Sequence, residues 1–512
     1  MEKHNVNARV ADGKEAVLAS VDAMPKGHIV TDVSNISSKI SSDIQNQIGI
    51  VHENELSKIK EPVLKEILAE VKPVNFYEIA AVEQGKSLSK KHYLVICIDE
   101  ILRIAKEKEL PLCINCGIVY CFNGSYWKQV TMTELQIWLG EIARAMGIDK
   151  FEADYYKFRE ELLKQFISAA SLPSPERNLD EVLINLKGGT YVIRSDRQFL
   201  KPFDSYDFLT HQLDFPFDEK KEAPIFKEYL DKVLPEENSQ KILAEYIGYL
   251  FISRKVLKLE KVLVLFGEGA NGKSVFFEVV KALLGASMGC FSLQSLSEKS
   301  GYYRAQLKDL LCNYAPENSP EIDASIFKQM VSGEPIEARL PYQVPFIMED
   351  YAKLIFNMNK LPVDVEGTEA YFRRFLIIPF NVTIPEEERD PQLAQKIIDN
   401  ELSGVFNWVL EGLNRLLTQK RFTHSEEVDK LLAQYRMESS SVQLFLNDAQ
   451  YCQSTESCMG YRQLYDEYKC YCKEFNYRAE TEKHFSHELR KLKYFTIRKS
   501  SGVIVFAEKK VA

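Results

Sequence analysis

Apolar runs long enough to cross a membrane are missing. No stretch approaches the roughly 18 residues a spanning helix needs. The longest, YLVICI (Tyr93–Ile98) and KVLVLF (Lys261–Phe266), read as buried strands. The opening, MEKHNVNARVADGK, lacks the apolar core of a secretory signal, so a cytoplasmic protein with no membrane partner is expected. Cysteine is sparse and scattered. Of the ten, Cys97, Cys290 and Cys312 sit inside apolar runs. Cys113 and Cys116 form one CxxC with Cys121 nearby, but no second CxxC or paired His supplies a fourth ligand at a readable spacing. Structural or free thiols are expected, a metal site being the alternative. An excess of positive charge is also absent. The 65 basic and 74 acidic residues give −9, which argues against coating nucleic acid with the whole surface and leaves room for a local basic site. An apolar fraction of 45% and a charged fraction of 27% exclude a disordered, collagen-like or small disulfide-stapled chain. At about 150 residues per domain, 512 residues suggest roughly three domains.

Residues 1–92 carry helical patches and many charges but no motif, and read as an arm or small helical region of unknown function. From Tyr93 the signals sharpen. GIVYCFNGSYWKQV (Gly117–Val130) has two β-rich runs around Asn123-Gly124, a hairpin signal. Thr131 and Glu134 are spaced as a capping box before a helix with Leu135, Ile137, Trp138 and Ile142. INLKGGTYVI (Ile184–Ile193) is a second hairpin around Gly188-Gly189, and residues 224–250 read as two amphipathic helices. Residues 93–250 are read as one mixed domain.

Residues 255–380 alternate short apolar runs with helical stretches: Val262–Phe266, Leu310–Tyr314, Leu354–Phe356 and Phe375–Phe380. Short unalternating runs between helices predict a buried, mainly parallel sheet. NVTIPEEERDPQL (Asn381–Leu393) is a polar loop, MESSSVQ (Met437–Gln443) reads as a linker, and residues 437–512 form a final small domain.

The strongest motif is GEGANGKS, Gly267-Glu268-Gly269-Ala270-Asn271-Gly272-Lys273-Ser274, followed by Val275. It fits G-x-x-x-x-G-K-[ST] in full, a match expected by chance in about one of fifty chains of this length. A buried strand precedes it, and a helix follows, stopped by Gly285. Small residues let backbone N–H groups wrap phosphates, and the helix N-terminus favours anions. Lys273 would hold the β- and γ-phosphates of ATP, and Ser274 would offer its hydroxyl to Mg²⁺. The bland alternative is a glycine-rich turn.

Downstream order separates motors from other phosphate-binding enzymes. Glu317 follows the Leu310–Tyr314 run, where an acid could meet Mg²⁺ and polarise water. Asn359 stands at the exit of LIFNMN, where it could sense the γ-phosphate. Arg373 and Arg374 precede FLIIPF, where either could act as an arginine finger on a neighbour's ATP. The structural alternatives are a surface acid, a turn-forming Asn and surface ion pairs.

This order resembles the superfamily 3 helicases of viruses and mobile elements. The closer resemblance is to the phage/plasmid primase–helicase family, whose helicase part is similar to that of the poxvirus primase–helicase. It is carried by LFGEGANGKS, NYAPEN, FKQMVSGEPIEAR, LIFNMNKLP and FRRFLIIPF, with FNGSYWKQV, INLKGGTYVI and KPFDSYDFLTHQLDFPFD upstream and LYDEYKCYCKEF in the tail. It covers about residues 95–508. The resemblance implies an α/β fold: a P-loop NTPase (AAA+-like) motor over 251–436, an α+β N-terminal domain over 93–250 and a winged-helix DNA-binding domain over 437–512. It makes Lys273 and Ser274 the nucleotide and metal residues, Glu317 the second acidic motif, Asn359 the sensor and Arg373 or Arg374 the finger. One departure is that Glu317 stands alone between Pro316 and Asn318, where the family usually has paired acids, so the metal ligand stays open.

FKQMVSGEPIEARLPYQVPF (Phe327–Phe346) reads as a helix, a turn at Gly333-Glu-Pro335 and a hairpin with its tip near Leu340–Gln343. In the related motors such a hairpin lines the ring channel, which makes Lys328, Arg339 and Tyr342 DNA candidates. From Ala479 to Ala512 eight Lys or Arg face four Glu. A helix with Phe485 and Leu489 on its apolar side and a following strand suit DNA docking through Lys483, Arg490, Lys491 and Lys493. A structural hairpin and a solvated helix face are the alternatives. The expected function is an ATP- and Mg²⁺-dependent DNA helicase acting on single-stranded or forked DNA as a ring, taken as a hexamer, with a separate primase or other replication proteins as partners. No primer synthesis is expected from this chain. The rivals are an ATP-regulated replication initiator or assembly factor, and a P-loop kinase.

Overall fold

The computed structural model describes residues 58–83, 85–110, 112–115, 117–169, 180–316, 323–340, 344–362, 368–475, 477–500 and 502–509. These divide into two compact units, one within Met1–Leu110 and Val130–Ser171, the other within Pro111–Gln129 and Leu172–Ala512. Residues 93–250 are therefore shared between both units. No helix among the described residues is long and apolar enough to cross a membrane.

The first unit is helical: α1 (Pro62–Glu70), α2 (Phe76–Ile79), α3 (Lys90–Glu107), α4 (Met132–Ala145), α5 (Lys150–Asp154) and α6 (Tyr156–Ala169). Here the strand expected at Tyr93–Ile98 is corrected, because those residues lie inside α3. Cys97, Ile101, Ile104 and Ala105 are buried at helical spacing, and this stripe continues past the six-residue apolar run. Periodicity over 18 residues outweighs a local run. At α4, the Thr131 side chain accepts from the Glu134 amide. The Glu134 carboxylate does not return to Thr131. It accepts from the amides of Lys60 (2.6 Å) and Glu61 (3.1 Å), so it caps the start of α1 instead.

The second unit begins with β1 (Leu112–Asn115), β2 (Ile118–Phe122) and β3 (Trp127–Gln129), an antiparallel set in that order. The Asn123 side chain accepts from the amides of Ser125 and Tyr126, closing the expected turn. A four-stranded sheet follows from β4 (Val182–Lys187), β5 (Gly189–Ile193), β6 (Gln198–Lys201) and β7 (Leu213–Pro216), ordered β6-β5-β4-β7. Helices α7 (Pro224–Val233) and α8 (Glu237–Tyr249) then lead to the central sheet.

That sheet holds β8 (Val262–Phe266), β9 (Met288–Gly289), β10 (Cys312–Pro316), β13 (Lys353–Met358) and β14 (Phe375–Pro379) in the order β14-β8-β13-β10-β9, every pairing parallel. Around it lie α9 (Lys273–Leu284), α10 (Leu293–Ser297), α11 (Tyr302–Ala305), α12 (Ala324–Ser332), α13 (Glu369–Phe372), α14 (Leu393–Gln419) and α15 (Glu426–Glu438), plus an antiparallel pair β11 (Ile336–Ala338) and β12 (Phe346–Met348). The physical reason for the unalternating strand sequence is plain in β8. Leu263 and Leu265 enter one core with α7, α8, α9 and α14, while Val262 and Val264 enter a second with α12. A strand buried on both faces has no polar side.

The chain continues into α16 (Ser441–Asp448), β15 (Tyr451–Gln453), β16 (Met459–Gly460), α17 (Tyr461–Glu474), α18 (Glu482–Lys491), β17 (Thr496–Lys499), β18 (Gly502–Val505) and β19 (Ala507–Lys509). Only Ser439 and Ser440 separate α15 from α16, so the expected linker is mostly helix. These elements share their own core, with Phe445, Leu464, Tyr468, Phe485 and Leu489 buried. Cys97 and Cys312 are buried as their apolar runs imply, but Cys290 is exposed. Cys116 lies outside the described residues, and among those described no cluster of three His, Cys, Asp or Glu could hold a metal.

Candidate functional site

The GEGANGKS loop leaves the carboxyl end of β8 and enters α9, whose first residue is Lys273. Parallel sheets bind ligands at this edge, where strand order reverses. β8 is the first strand in chain order yet lies between β14 and β13, the last two, which makes such a crevice.

The loop's glycines answer to close neighbours. Gly272, the N-cap, has φ 87°, and a side chain there would meet Val233 Cγ1 at 2.8 Å and the Tyr229 ring at 3.0 Å. A Cβ on Gly267 would clash with the Phe380 carbonyl oxygen. The loop is further held from outside. The Tyr229 hydroxyl donates to the Gly272 carbonyl at 2.9 Å, Asn271 Nδ2 donates to the Phe380 carbonyl at 2.9 Å, and the Ile384 amide donates to the Ala270 carbonyl at 2.8 Å.

Lys273 is buried, and its ammonium donates to the carbonyls of Gly267 (2.5 Å) and Glu268 (2.9 Å) and to Asn271 Oδ1 (3.1 Å). Burial pulls its pKa below the usual lysine value. Ser274 is exposed beside it. A cavity of about 360 Å³ opens here, lined by the Glu268–Val275 loop, Asn359, Tyr229, Lys232 and Val233 of α7, and Ile384, Glu388, Arg389, Asp390 and Leu393. Asn359 follows the end of β13, whose Met358 pairs with Phe266. The structure thus brings together the loop residues, Lys273, Ser274 and Asn359. The sequence reading missed the other wall. Lys232 and Glu388 join across it at 2.6 Å, yet they lie 156 residues apart, and no local spacing connects them.

Glu317 and Tyr342 lie outside the described residues. Strand β10 ends at Pro316, paired with Asn357, and Tyr314 donates to Asn357 Oδ1 at 2.9 Å.

The two arginines are at the other edge of the sheet. The Arg374 carbonyl accepts from the amide of Val262, the first residue of β8. Five strand residues at about 3.3 Å each separate that point from the loop by roughly 16 Å. The pair also differ from each other. Arg374 is buried, its guanidinium donating to Ser332 Oγ at 2.7 and 3.1 Å and to the Ala370 carbonyl. Arg373 is exposed, with a 3.5 Å ion pair to Glu260.

Lys328 is on α12, and Arg339 is exposed just after β11. The root of this hairpin is anchored by Tyr351, whose hydroxyl donates to the Glu334 carbonyl at 2.8 Å and whose ring carries the Arg254 guanidinium at 4.6 Å. In the C-terminal elements Lys483, Arg490, Lys491 and Lys493 are all exposed, while Phe485 and Leu489 hold α18 to its core.

Two family matches divide the chain. A D5 N terminal-like family matches residues 91–235, and DUF5906, a family of unknown function, matches residues 265–374. The helicase-named L207/L206 protein of Acanthamoeba polyphaga mimivirus is 26% identical over 238 residues, which cover 44% of this chain and 24% of that protein. The chain thus aligns with about a quarter of this relative's length. Among solved structures, the A form of the NrS-1 C terminal region is 14% identical with a TM-score of 0.47, covering 80% of this chain and 97% of that one. A second structure of the same region is 12% identical with a TM-score of 0.43, covering 80% and 98%. The D5 N terminal-like segment and the likeness to a helicase-named protein support a relationship to the phage-type primase–helicases.

Proposed function

We propose that the chain is an ATP-dependent DNA helicase motor of the superfamily 3 type that works as a ring, taken as a hexamer, on single-stranded or forked DNA. The observation that carries this reading is the placement of Lys273 and Asn359 in one cavity at the carboxyl edge of the parallel sheet, with Arg373 exposed at the opposite edge. A phosphate loop and a polar sensor at one edge suit nucleotide binding. An arginine roughly 16 Å away in its own subunit can act only on a neighbour's nucleotide.

In this reading the loop amides and Lys273 bind the ATP phosphates, and Asn359 orients the γ-phosphate or the attacking water. The Lys273 contacts to loop carbonyls hold its ammonium at the place the phosphates would take, so nucleotide exchanges those partners for phosphate oxygens. Ser274 would hold Mg²⁺ with Glu317, and the ion would neutralise charge on the β- and γ-phosphates. Arg373 is the finger in this scheme, since the Arg374 guanidinium is committed to Ser332 and Ala370 inside the fold. The hairpin at Lys328, Arg339 and Tyr342 would track one strand, and the C-terminal elements, read as a winged helix, would dock DNA. A separate primase would supply primers.

The test is ATP hydrolysis with and without single-stranded DNA, together with unwinding of tailed forks of both polarities. DNA-stimulated hydrolysis lost in Lys273→Ala and unwinding of one fork type are expected. Hydrolysis indifferent to DNA, with no unwinding, would sink the proposal.

A further inference from the structure

The C-terminal hairpin has an outer face that its own core does not use. The β17–β18 register pairs Ile497 with Ile504 and Thr496 with Val505. Alternation therefore puts Val505, with Tyr494 and Ala507, on the side facing the core, where all three are buried. It puts Phe495, Ile497, Ile504 and Phe506 on the other side. None of these four belongs to a core cluster among the described residues. Phe495 is 64% exposed and Ile497 is 38% exposed, and the Phe495 and Phe506 rings stand 5.8 Å apart.

The stretch that forms this hairpin carries charge of one sign up to Glu508 of β19. Between Leu489 and Ala507 stand Arg490, Lys491, Lys493, Arg498 and Lys499, with no acidic residue, in a chain that is −9 overall. Lys493 and Lys499 are exposed, and alternation puts Lys499 on the same side as Ile497. A protein partner would have to cover apolar rings and neutralise clustered cations at once. An unpaired nucleic-acid strand has both features built in: flat bases to stack and phosphates every nucleotide. A duplex hides its base faces and can use only the cations.

We propose that the outer face of the β17–β18 hairpin binds an unpaired nucleic-acid strand, with bases stacking on Phe495 and the backbone held by Lys493 and Lys499. This inference rests on the DNA-motor reading above and adds to it a single-strand contact outside the ring channel, at a residue the charge pattern alone does not select.

The experiment measures binding of the full chain to a labelled oligo-dT strand and to a blunt duplex, across a salt series. The variants are Phe495→Ala, Phe495→Tyr and Lys499→Ala, with melting temperature and oligomer mass recorded for each. Phe495→Ala should weaken oligo-dT binding about tenfold and duplex binding less than twofold, and Phe495→Tyr should restore single-strand affinity. Lys499→Ala should lower the slope of log affinity against log salt by about 0.7 on the single strand. Wild-type single-strand binding in Phe495→Ala, an equal loss on duplex, or a change of oligomer mass with DNA affinities intact would each overturn the inference, the last by assigning the face to another protein chain. If the wild-type chain binds no DNA and its ATPase ignores DNA, the motor reading fails as well. If the wild type behaves as a motor and only the Phe495 effects are missing, this inference fails alone.

Discussion

Adjacent arginines with the same sequence context have opposite fates. Arg374 is committed to Ser332 and Ala370 inside the fold, and Arg373 faces solvent. Arg374→Ala is expected to cost about 2–4 kcal/mol of stability, because it leaves Ser332 without its donor and opens a cavity. Arg373→Ala should leave the melting temperature nearly unchanged while abolishing DNA-stimulated hydrolysis. Chemical denaturation and ATPase rates on the same preparations separate the two. Lys353 offers a pH test. Its ammonium is fully enclosed, donates to the Ile252 carbonyl at 2.7 Å and lies 4.5 Å from the Tyr249 ring centroid. Burial, helped by nearby Arg254 and opposed by Asp350, pushes its pKa down to about 7. Between about pH 7 and pH 10 the unfolded chain therefore holds a proton that the folded chain does not. Stability from this residue is lowest below pH 7 and rises through that window, by up to about 1.4 kcal/mol per pH unit. Lys353→Met should flatten the rise, as urea midpoints from pH 6.5 to 9.5 would show. A parallel slope in wild type and variant would contradict it.

Elements in this chain are stabilised by residues of other elements, and that limits what local motifs report. Glu134 was readable as half of a capping box, yet it caps α1 rather than its own helix. Thr131→Ala should cost about 1 kcal/mol through α4. Glu134→Ala should cost at least as much by uncovering the amides that lead into α1, and amide exchange should rise at Lys60 and Glu61 rather than in α4. The phosphate loop is a similar case. Gly272 looks like motif punctuation, but α7 crowds it. Gly272→Ala should lower nucleotide affinity at least tenfold and reduce the melting temperature together, since the methyl group meets Val233 and Tyr229 while φ is positive. Titration with a fluorescent ATP analogue, alongside thermal melting, checks both.

At the scale of the whole molecule, the proposed role of Arg373, which lies far from the GEGANGKS loop, would make subunit assembly the condition for activity. Mixing wild type with Arg373→Ala at fixed total concentration should depress DNA-stimulated hydrolysis more steeply than the mutant fraction, because each inert arginine silences a neighbour's site. A strictly linear decline would point to independent subunits. Light scattering with ATP and single-stranded DNA should report a species several times the mass of one chain.

The sequence alone determined the parts that depend on short-range rules. The strand–loop–helix at Gly267–Ser274, the four long strands of the central sheet, the Asn123 and Gly188 turns and the apolar side of α18 were legible because each follows from spacing or turn chemistry within a dozen residues. The helix at Tyr93–Ile98 was misread because a six-residue apolar run carries no period of its own, and its helical stripe emerges only over 18 residues. Only the tertiary structure decided which arginine is exposed, which carboxylate caps which helix, that Lys232 and Glu388 close the far wall of the cavity, and which side of the C-terminal hairpin is left uncovered. Those outcomes depend on elements brought together from distant parts of the chain, where packing and burial, rather than spacing, choose a side chain's partner.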